Sequence, residues 1–162
     1  QLTLVSSNAK YDKVINGQDT FTQQEKNGYH LFKKHCNICH SEPLFSSYTF
    51  ENNGLPVDPT LQDFGRWSIT HNAQDSLKFK VPSLRNLSYT YPYMHDGRFK
   101  NLKEVLHHYT NGIVKSPTLS ANLDNPIILN PNEKVDLIAF LLCLNDKEFV
   151  FDKKHQYKKS GS

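Results

Sequence analysis

The chain has 162 residues, of which 37% are hydrophobic and 22% charged, and its formal net charge is +3. This composition is not that of a disordered chain, and the length suits one domain with a core of its own. No apolar run reaches the roughly 20 residues that cross a bilayer, so we expect no membrane span. Lysine and arginine are scattered, which argues against a nucleic-acid partner. The start carries no signal-peptide pattern, so a secreted protein would appear here in processed form.

Residues 1–21 are polar and show no sustained periodicity, which predicts an extended lead-in or interdomain segment with at most a short helix. A capping box marks the first clear helix, because Thr22 and Glu25 are spaced so that each side chain can bind the free backbone N–H of the other. This helix is predicted to run to about His35.

Residues 41–80 are rich in Asn, Gly, Pro and Asp and contain isolated aromatic residues. A loop of this length is unusual inside a compact domain. It becomes reasonable if the loop wraps a large buried cofactor that supplies part of the core. The sequence therefore predicts a cofactor-wrapping loop in this region.

Two further helices are predicted in the second half of the chain. Asn101 caps a helix that runs from Leu102 to about Tyr109, and Asn130-Pro131 starts a strongly apolar one. No strand pattern and no internal repeat are visible, so an all-α domain is predicted over residues 22–150. Residues 151–162 are basic, and we predict a flexible tail there.

The segment Cys36-Asn37-Ile38-Cys39-His40 is a C-x-x-C-H haem attachment signature. The chemistry explains the spacing, because two thiols on one turn add to the two vinyl groups of haem. The histidine that follows directly then points its imidazole at the iron. We predict one covalently bound haem c, attached through Cys36 and Cys39, with His40 as an axial ligand.

Two other kinds of site use a C-x-x-C pair. A thioredoxin-type redox pair would follow a strand, whereas a predicted helix precedes this pair. A zinc site needs a second pair of ligands at suitable spacing, and the remaining cysteine, Cys143, lies in an apolar helix. Both are weaker predictions than haem.

Gly28, Phe32 and Cys36 recur at four-residue steps, on one face of the first predicted helix. This pattern resembles the N-terminal helix of class I cytochromes c, in which a glycine lets a second helix approach closely. Residues 135–141, Val-Asp-Leu-Ile-Ala-Phe-Leu, resemble the terminal helix of the same fold. The resemblance implies an all-α, class I cytochrome c-like fold with long haem-wrapping loops.

Longer strings in the middle of the chain narrow the family. They are Phe79-Lys80-Val81-Pro82-Ser83-Leu84-Arg85-Asn86, Thr90-Tyr91-Pro92-Tyr93-Met94-His95-Asp96-Gly97-Arg98-Phe99, Leu102-Lys103-Glu104-Val105 and His108-Tyr109. In this order they are similar to the di-haem cytochrome c peroxidase and MauG-like family, and the resemblance covers residues 8–145. Members of that family carry two haem domains, and the single motif of this chain matches the second, C-terminal one.

The resemblance implies part of a longer enzyme, with an absent N-terminal peroxidatic haem domain as its partner. The complete protein would reduce hydrogen peroxide to water with electrons from a small donor such as a cytochrome or cupredoxin. This domain would transfer the electrons and would hold no catalytic residue itself. A MauG-like oxidase domain acting on a protein substrate and a mono-haem electron carrier are the alternatives. Because bacteria attach haem of this type outside the cytoplasm, a periplasmic protein is expected.

The second axial ligand of the iron stays open. In the family it lies at the end of the helix after the Leu-x-Glu-Val string, which is Tyr109 here, and MauG-like members carry tyrosine where peroxidases usually carry methionine. Met94, the only methionine, is the alternative, and an open position, His108 or another histidine comes third. Methionine raises the haem potential and a tyrosine phenolate favours oxidised iron, so the choice decides the redox chemistry.

The resemblance also implies two peripheral contacts. Thr90 and Pro92 match positions whose backbone carbonyls help to hold a calcium ion between the two haem domains, and calcium accepts such oxygen ligands readily. Arg85 is expected to bind a haem propionate, because a guanidinium suits paired carboxylate oxygens.

Overall fold

The structure, a computed structural model, describes residues 6–155. Within them the α-helices are α1 (Lys10–Ile15), α2 (Gln23–His35), α3 (Trp67–Thr70), α4 (Leu102–His107), α5 (Pro131–Leu142) and α6 (Lys147–Phe151). Short 3-10 turns cover Ala73–Asp75, Leu87–Tyr89, Ala121–Leu123 and Lys153–His155. A π-helical turn, His108–Gly112, continues α4. The three helices predicted from the sequence are all present, as α2, α4 and α5.

Two short strands accompany the helices. β1 (Phe50–Glu51) and β2 (Phe79–Lys80) pair antiparallel, with Phe50 opposite Lys80 and Glu51 opposite Phe79. The sequence predicted no strand, because two residues are too few to show the alternation of a strand. The all-α prediction is therefore corrected to a largely helical chain with one small sheet. The sheet holds together the two ends of the long loop of residues 52–78.

Helix α2 starts at the predicted capping box. The Thr22 hydroxyl accepts a hydrogen bond from the Glu25 backbone N–H at 3.3 Å, and the Glu25 carboxylate accepts one from the Thr22 N–H at 2.7 Å. Lys10 of α1 adds an ion pair to the same carboxylate at 2.6 Å. The first turn of α2 is thus fixed both by its own cap and by the preceding helix.

Helices α2 and α5 cross in close contact at Gly28. A Cβ atom at Gly28 would lie 1.9 Å from the carbonyl oxygen of Asp136 and 2.8 Å from the Cβ of Phe140. Such distances are far inside van der Waals contact, so glycine is the only residue that fits without movement of one helix. The close approach predicted from the Gly28 pattern is confirmed.

The core lies around this crossing. Its buried residues are mainly aromatic or leucine, and they are Tyr11, Phe32, Phe45, Leu87, Leu106, Leu137, Phe140, Leu141 and Leu144. Phe32 and Phe140 are both fully buried, and their ring centroids are 5.1 Å apart. Because Phe32 is one helical turn before Cys36, the core ends where the C-x-x-C-H motif begins.

Part of the lead-in packs against the domain, and the predicted boundary at residue 21 stays a prediction. Tyr11 is only 5% exposed and belongs to the core, and its backbone N–H donates to the Cys143 carbonyl at 3.0 Å. The Ser6 hydroxyl donates to the Asp146 carboxylate at 3.0 Å. Because the segment is otherwise polar and shows no periodicity, the sequence did not reveal that Tyr11 is buried.

Arg85 also binds the lead-in, and its predicted contact with a haem propionate stays a prediction. Its Nη1 and Nη2 donate to the two carboxylate oxygens of Asp12 at 3.0 and 2.8 Å, and its Nε and Nη2 both donate to the Pro43 carbonyl. The two side chains are 9% and 13% exposed. Since the charge is already matched by a bidentate carboxylate, the guanidinium has little capacity left for a propionate.

The end of the chain also differs from the prediction. Helix α6 runs to Phe151 and a 3-10 turn follows over Lys153–His155, so the predicted tail of residues 151–162 does not begin at 151. Its last part, residues 156–162, lies outside the described residues, as do residues 1–5. Within residues 6–155, no helix has the length and apolar character needed to cross a membrane.

Substitution of Gly28 by alanine is expected to lower the free energy of unfolding by about 3 kcal/mol, because the added methyl group pushes α2 and α5 apart. The higher helix propensity of alanine offsets at most about 1 kcal/mol of this loss. Urea unfolding followed by circular dichroism measures the effect. His30→Ala, at an exposed position of α2, is the control and should change stability little. A Gly28→Ala protein as stable as the parent would contradict the close crossing.

Substitution of Arg85 by glutamine is expected to cost about 3 kcal/mol of unfolding free energy, because Asp12 is left buried without a counter-charge. The control is Arg66→Gln, since Arg66 is 42% exposed and its pair with Asp75 spans 3.3 Å, which predicts a loss below about 1 kcal/mol. The double variant Arg85→Gln/Asp12→Asn should recover part of the loss in a double-mutant cycle. If Arg85→Gln instead changes the stability little but alters the haem spectrum, the result would support a contact between Arg85 and a haem propionate.

Candidate haem-binding site

The C-x-x-C-H motif forms one tight turn at the end of α2. The Cys36 N–H still donates to the Phe32 carbonyl at 2.8 Å, while the Cys36 carbonyl accepts from the backbone N–H groups of Cys39 and His40 at 3.2 and 2.8 Å. Both cysteines are free thiols. The local sequence thus folds both thiols and the imidazole onto a single turn that is continuous with a helix.

The His40 imidazole is held by backbone carbonyl oxygens. Its Nδ1 lies 3.0 Å from the Pro82 carbonyl oxygen and 3.3 Å from that of Phe45. A carbonyl can only accept, so Nδ1 carries the proton and the lone pair is on Nε2. Burial lowers the pKa of His40, although the two carbonyls act in the opposite direction. The ring is therefore neutral near pH 7 and offers Nε2 to a metal.

The two thiols are both protonated near neutral pH. Burial raises the pKa of Cys36 to about 12, and the neighbouring Cys39 adds to this effect. Burial, followed by the charge of Glu51, raises the pKa of Cys39 as well. Among residues 6–155 no group of three or more His, Cys, Asp and Glu side chains is placed to share a metal ion. This arrangement does not favour the zinc site that a C-x-x-C pair can also form.

Cys143 lies elsewhere. Its buried thiol donates to the Ala139 carbonyl within α5 at 3.4 Å, and the charges that act on it are those of Glu25 and Lys10. It therefore takes no part in the motif.

Tyr109 lies in the π-helical turn after α4. Burial raises the pKa of the Tyr109 hydroxyl to about 12, a hydrogen bond from the Asn53 side chain acts to lower it, and the charges of Cys36 and Cys39 act to raise it. The π-helical turn changes the direction of the chain at this point, so the consecutive residues His108 and Tyr109 have different neighbours.

Met94 lies beside the same asparagine. The Asn53 Nδ2 group is 3.5 Å from the Met94 sulfur, a distance suited to a weak hydrogen bond to a thioether. Met94, one of the two rival ligand candidates, therefore contacts the side-chain amide of Asn53. Asn53 itself was missed, because Asn52-Asn53-Gly54 is typical of a turn and carries no ligand signature.

His108 is 2% exposed, and its Nε2 lies 3.0 Å from the Asn53 backbone carbonyl oxygen. The ring thereby joins the turn of residues 52–55 to the end of α4. This contact argues against His108, one of the further alternatives, as an iron ligand.

Thr90 and Pro92, the predicted calcium-binding positions, are both solvent-exposed and follow the 3-10 turn Leu87–Tyr89. The Thr90 hydroxyl donates to the Leu87 carbonyl at 3.2 Å. The two residues lie close together in the chain on an accessible surface, as a site shared with another domain would require.

The residues that are present fit a covalently attached haem. The motif supplies two free thiols and a neutral imidazole whose Nδ1 already has its acceptor. The Cys39 sulfur has one weak contact, with the Asn122 Nδ2 group at 4.0 Å. Tyr109 and Met94 are the further oxygen and sulfur ligand candidates.

Comparisons with known proteins agree on one family. No protein-family model matches the chain. Cytochrome-c peroxidase IdrP1 of Pseudomonas sp. (strain SCT) is 35% identical over 181 residues, covering 91% of this chain and 48% of the relative. Methylamine utilization protein MauG of Methylorubrum extorquens is 36% identical over 149 residues, covering 89% and 41%. The chain spans less than half the length of either protein.

A solved structure supports the same grouping. The crystal structure of a MauG-like protein associated with microbial copper homeostasis aligns with a TM-score of 0.77 and 31% identity, over 92% of this chain and 55% of that one. The diheme peroxidase BthA of Burkholderia thailandensis E264, at 20% identity and a TM-score of 0.77, shares the fold. The chain therefore belongs to the family of di-haem cytochrome c peroxidases and MauG proteins.

Proposed function

We propose that the chain is the C-terminal, electron-transferring haem c domain of a di-haem peroxidase that reduces hydrogen peroxide to water. It has a class I cytochrome c-like fold and binds one haem. The observation that carries the proposal is the His40 contact: Nδ1 donates to the Pro82 carbonyl at 3.0 Å beside two free thiols, so Nε2 is the ring nitrogen that can bind iron.

In this proposal each residue has a distinct task. Cys36 and Cys39 hold the haem through thioether bonds, and His40 Nε2 binds the iron on one side. The Pro82 carbonyl keeps the His40 proton on Nδ1 and raises the basicity of the ligand. Tyr109 supplies the second axial ligand. Haem, when bound, contributes one-electron redox chemistry.

With His40 and Tyr109 both as iron ligands, the haem would have no position for peroxide, so this domain would transfer electrons. Peroxide would react in the N-terminal haem domain, which is the partner we assign to the part of the relatives that this chain does not match. A small donor such as a cytochrome or cupredoxin would deliver the electrons. Because this type of haem is attached outside the bacterial cytoplasm, we assign the protein to the periplasm.

A calcium ion between the two domains belongs to the same proposal. The exposed Thr90 and Pro92 carbonyls would supply part of its oxygen shell, and the other domain would supply the rest. This accounts for the lack of an acidic cluster around these residues, since among residues 6–155 no such cluster is found.

A MauG-like oxidase that acts on a protein substrate is the second candidate function. It is favoured by one observation, the position of Tyr109 in the π-helical turn after α4, where the charges of Cys36 and Cys39 act to raise the pKa of its hydroxyl. A phenolate ligand stabilises oxidised iron. This property suits an enzyme that stores oxidising equivalents better than it suits an electron carrier.

Expression with a haem-maturation system is expected to yield a c-type pyridine haemochrome spectrum that stays with the protein after acid–acetone extraction. The double variant Cys36→Ala/Cys39→Ala should lose this spectrum, because no thiol remains to form a thioether. Cys143→Ala is the matched control and should keep it. A parent protein that remains haem-free under these conditions would overturn the proposed function.

The second ligand can be assigned from the spectrum of the oxidised, haem-loaded protein. Tyr109→Phe is expected to remove the charge-transfer absorption of a tyrosinate ligand, whereas Met94→Leu should leave it in place. Tyr48→Phe, at an exposed tyrosine, is the control. The reverse result, with the spectrum altered by Met94→Leu alone, would assign the methionine and favour the peroxidase over the MauG-like reading.

A further inference from the structure

The His40 imidazole contacts two loop segments, residues 44–46 and residues 81–83. Its Nδ1 lies 3.0 Å from the Pro82 carbonyl oxygen and 3.3 Å from that of Phe45. Phe45 is fully buried, and its φ of 55° is in the left-handed region that a residue with a bulky side chain rarely adopts. Such a conformation persists only where neighbouring contacts hold it. The direction of both carbonyls therefore depends on what fixes the two segments.

Each segment carries a serine whose hydroxyl donates across to the other segment. The Ser46 hydroxyl donates to the Val81 carbonyl at 2.7 Å, and the Ser83 hydroxyl donates to the Leu44 carbonyl at 2.6 Å. The two bonds are reciprocal. Each serine directly follows a residue whose carbonyl contacts His40, and it donates to the residue directly before the other such carbonyl. Each of the two carbonyls is thus flanked on both sides by a link to the opposite segment.

The two hydroxyl groups are themselves held in one orientation. The Ser46 oxygen accepts from the Tyr48 N–H at 3.1 Å, and the Ser83 oxygen accepts from the Arg85 N–H at 3.2 Å. Each oxygen is thus bound by the N–H two residues later, which leaves its own O–H to donate across. Ser46 is 4% exposed, whereas Ser83 is on the surface. Because water can replace an exposed hydrogen bond more easily, we expect Ser46 to have the larger effect.

We propose that Ser46 and Ser83 are positioning residues that keep two carbonyls within reach of the His40 Nδ1–H and thereby set the redox potential of the haem. This inference rests on the proposed haem function. A hydrogen bond from Nδ1–H makes the imidazole a more basic ligand, and a more basic ligand favours oxidised iron. The serines act through the loop backbone, since their hydroxyls bond to carbonyls of the two segments and hold the loop geometry itself.

The test replaces each serine by alanine in the haem-loaded protein. In Ser46→Ala the His40 Nδ1 proton, followed by its NMR signal, is expected to exchange with solvent about tenfold faster, a factor that corresponds to the net contribution of roughly one hydrogen bond. The midpoint potential should rise, because a less basic imidazole stabilises oxidised iron less. Ser83→Ala should shift both values in the same direction by less, and the double variant Ser46→Ala/Ser83→Ala should shift them furthest.

Ser47→Ala is the matched control. Ser47 lies in the same loop, but its hydroxyl is bonded to that of Thr49 at 2.8 Å, on its own side of the pair of segments. Its removal should leave the exchange rate and the potential at their parental values. Ser83→Thr, at the surface position, keeps a hydroxyl and should also retain both parental values.

The outcomes separate the inference from the function on which it rests. If the alanine variants lower the melting temperature but keep the parental exchange rate and potential, the serines are only structural. The inference is then overturned and the proposed function stands. A shift of equal size in Ser47→Ala would overturn it as well. Should Ser46→Ala fail to fold, the comparison of Ser83→Ala with Ser83→Thr decides in the same way. A haem-free parent would overturn the proposed function, and this inference with it.

Discussion

The contact of Gly28 with the Asp136 carbonyl determines where the rest of the site lies. Because no side chain separates the two backbones at this point, α2 and α5 lie at a short, fixed distance from each other. Phe32 then fills the space one turn later against Phe140, and Cys36 follows one turn after Phe32. The first cysteine of the motif is therefore placed by helix packing, and the remaining motif residues need only a single turn to reach their positions.

Backbone carbonyl groups orient several side chains of the site. His40 obtains its tautomer from Pro82, and the Ser46 hydroxyl donates to the adjacent Val81 carbonyl at 2.7 Å. Segments 45–46 and 81–82 are thus joined just outside the small sheet. When a main-chain carbonyl orients a side chain, many substitutions nearby are tolerated, since the carbonyl keeps its place as long as the backbone does. The imidazole orientation should accordingly depend on loop geometry more than on the identity of the loop residues.

The sequence predicted those parts that depend on local spacing. The Thr22 cap, the face formed by Gly28, Phe32 and Cys36, and the turn of the motif each involve residues within one or two helical turns of one another. Contacts between distant segments were not predictable in this way. Arg85 pairs with Asp12 across 73 positions, and nothing in either local sequence shows that this carboxylate, rather than a cofactor, is its partner. The contacts of Asn53 were missed for the same reason, because they arise only where the 52–55 turn meets the end of α4.

The lead-in has a consequence for the integrity of the chain. Residues 6–12 dock through Tyr11, the Ser6 bond to Asp146 and the Asp12 pair with Arg85. Residues 15–20, which connect this docked piece to α2, are all exposed. A protease that cut the exposed connection would break the chain without breaking these contacts, so α1 would remain bound as a separate peptide. After such a cut the two fragments should therefore stay associated, and the covalent connection between them is not needed to keep α1 in place.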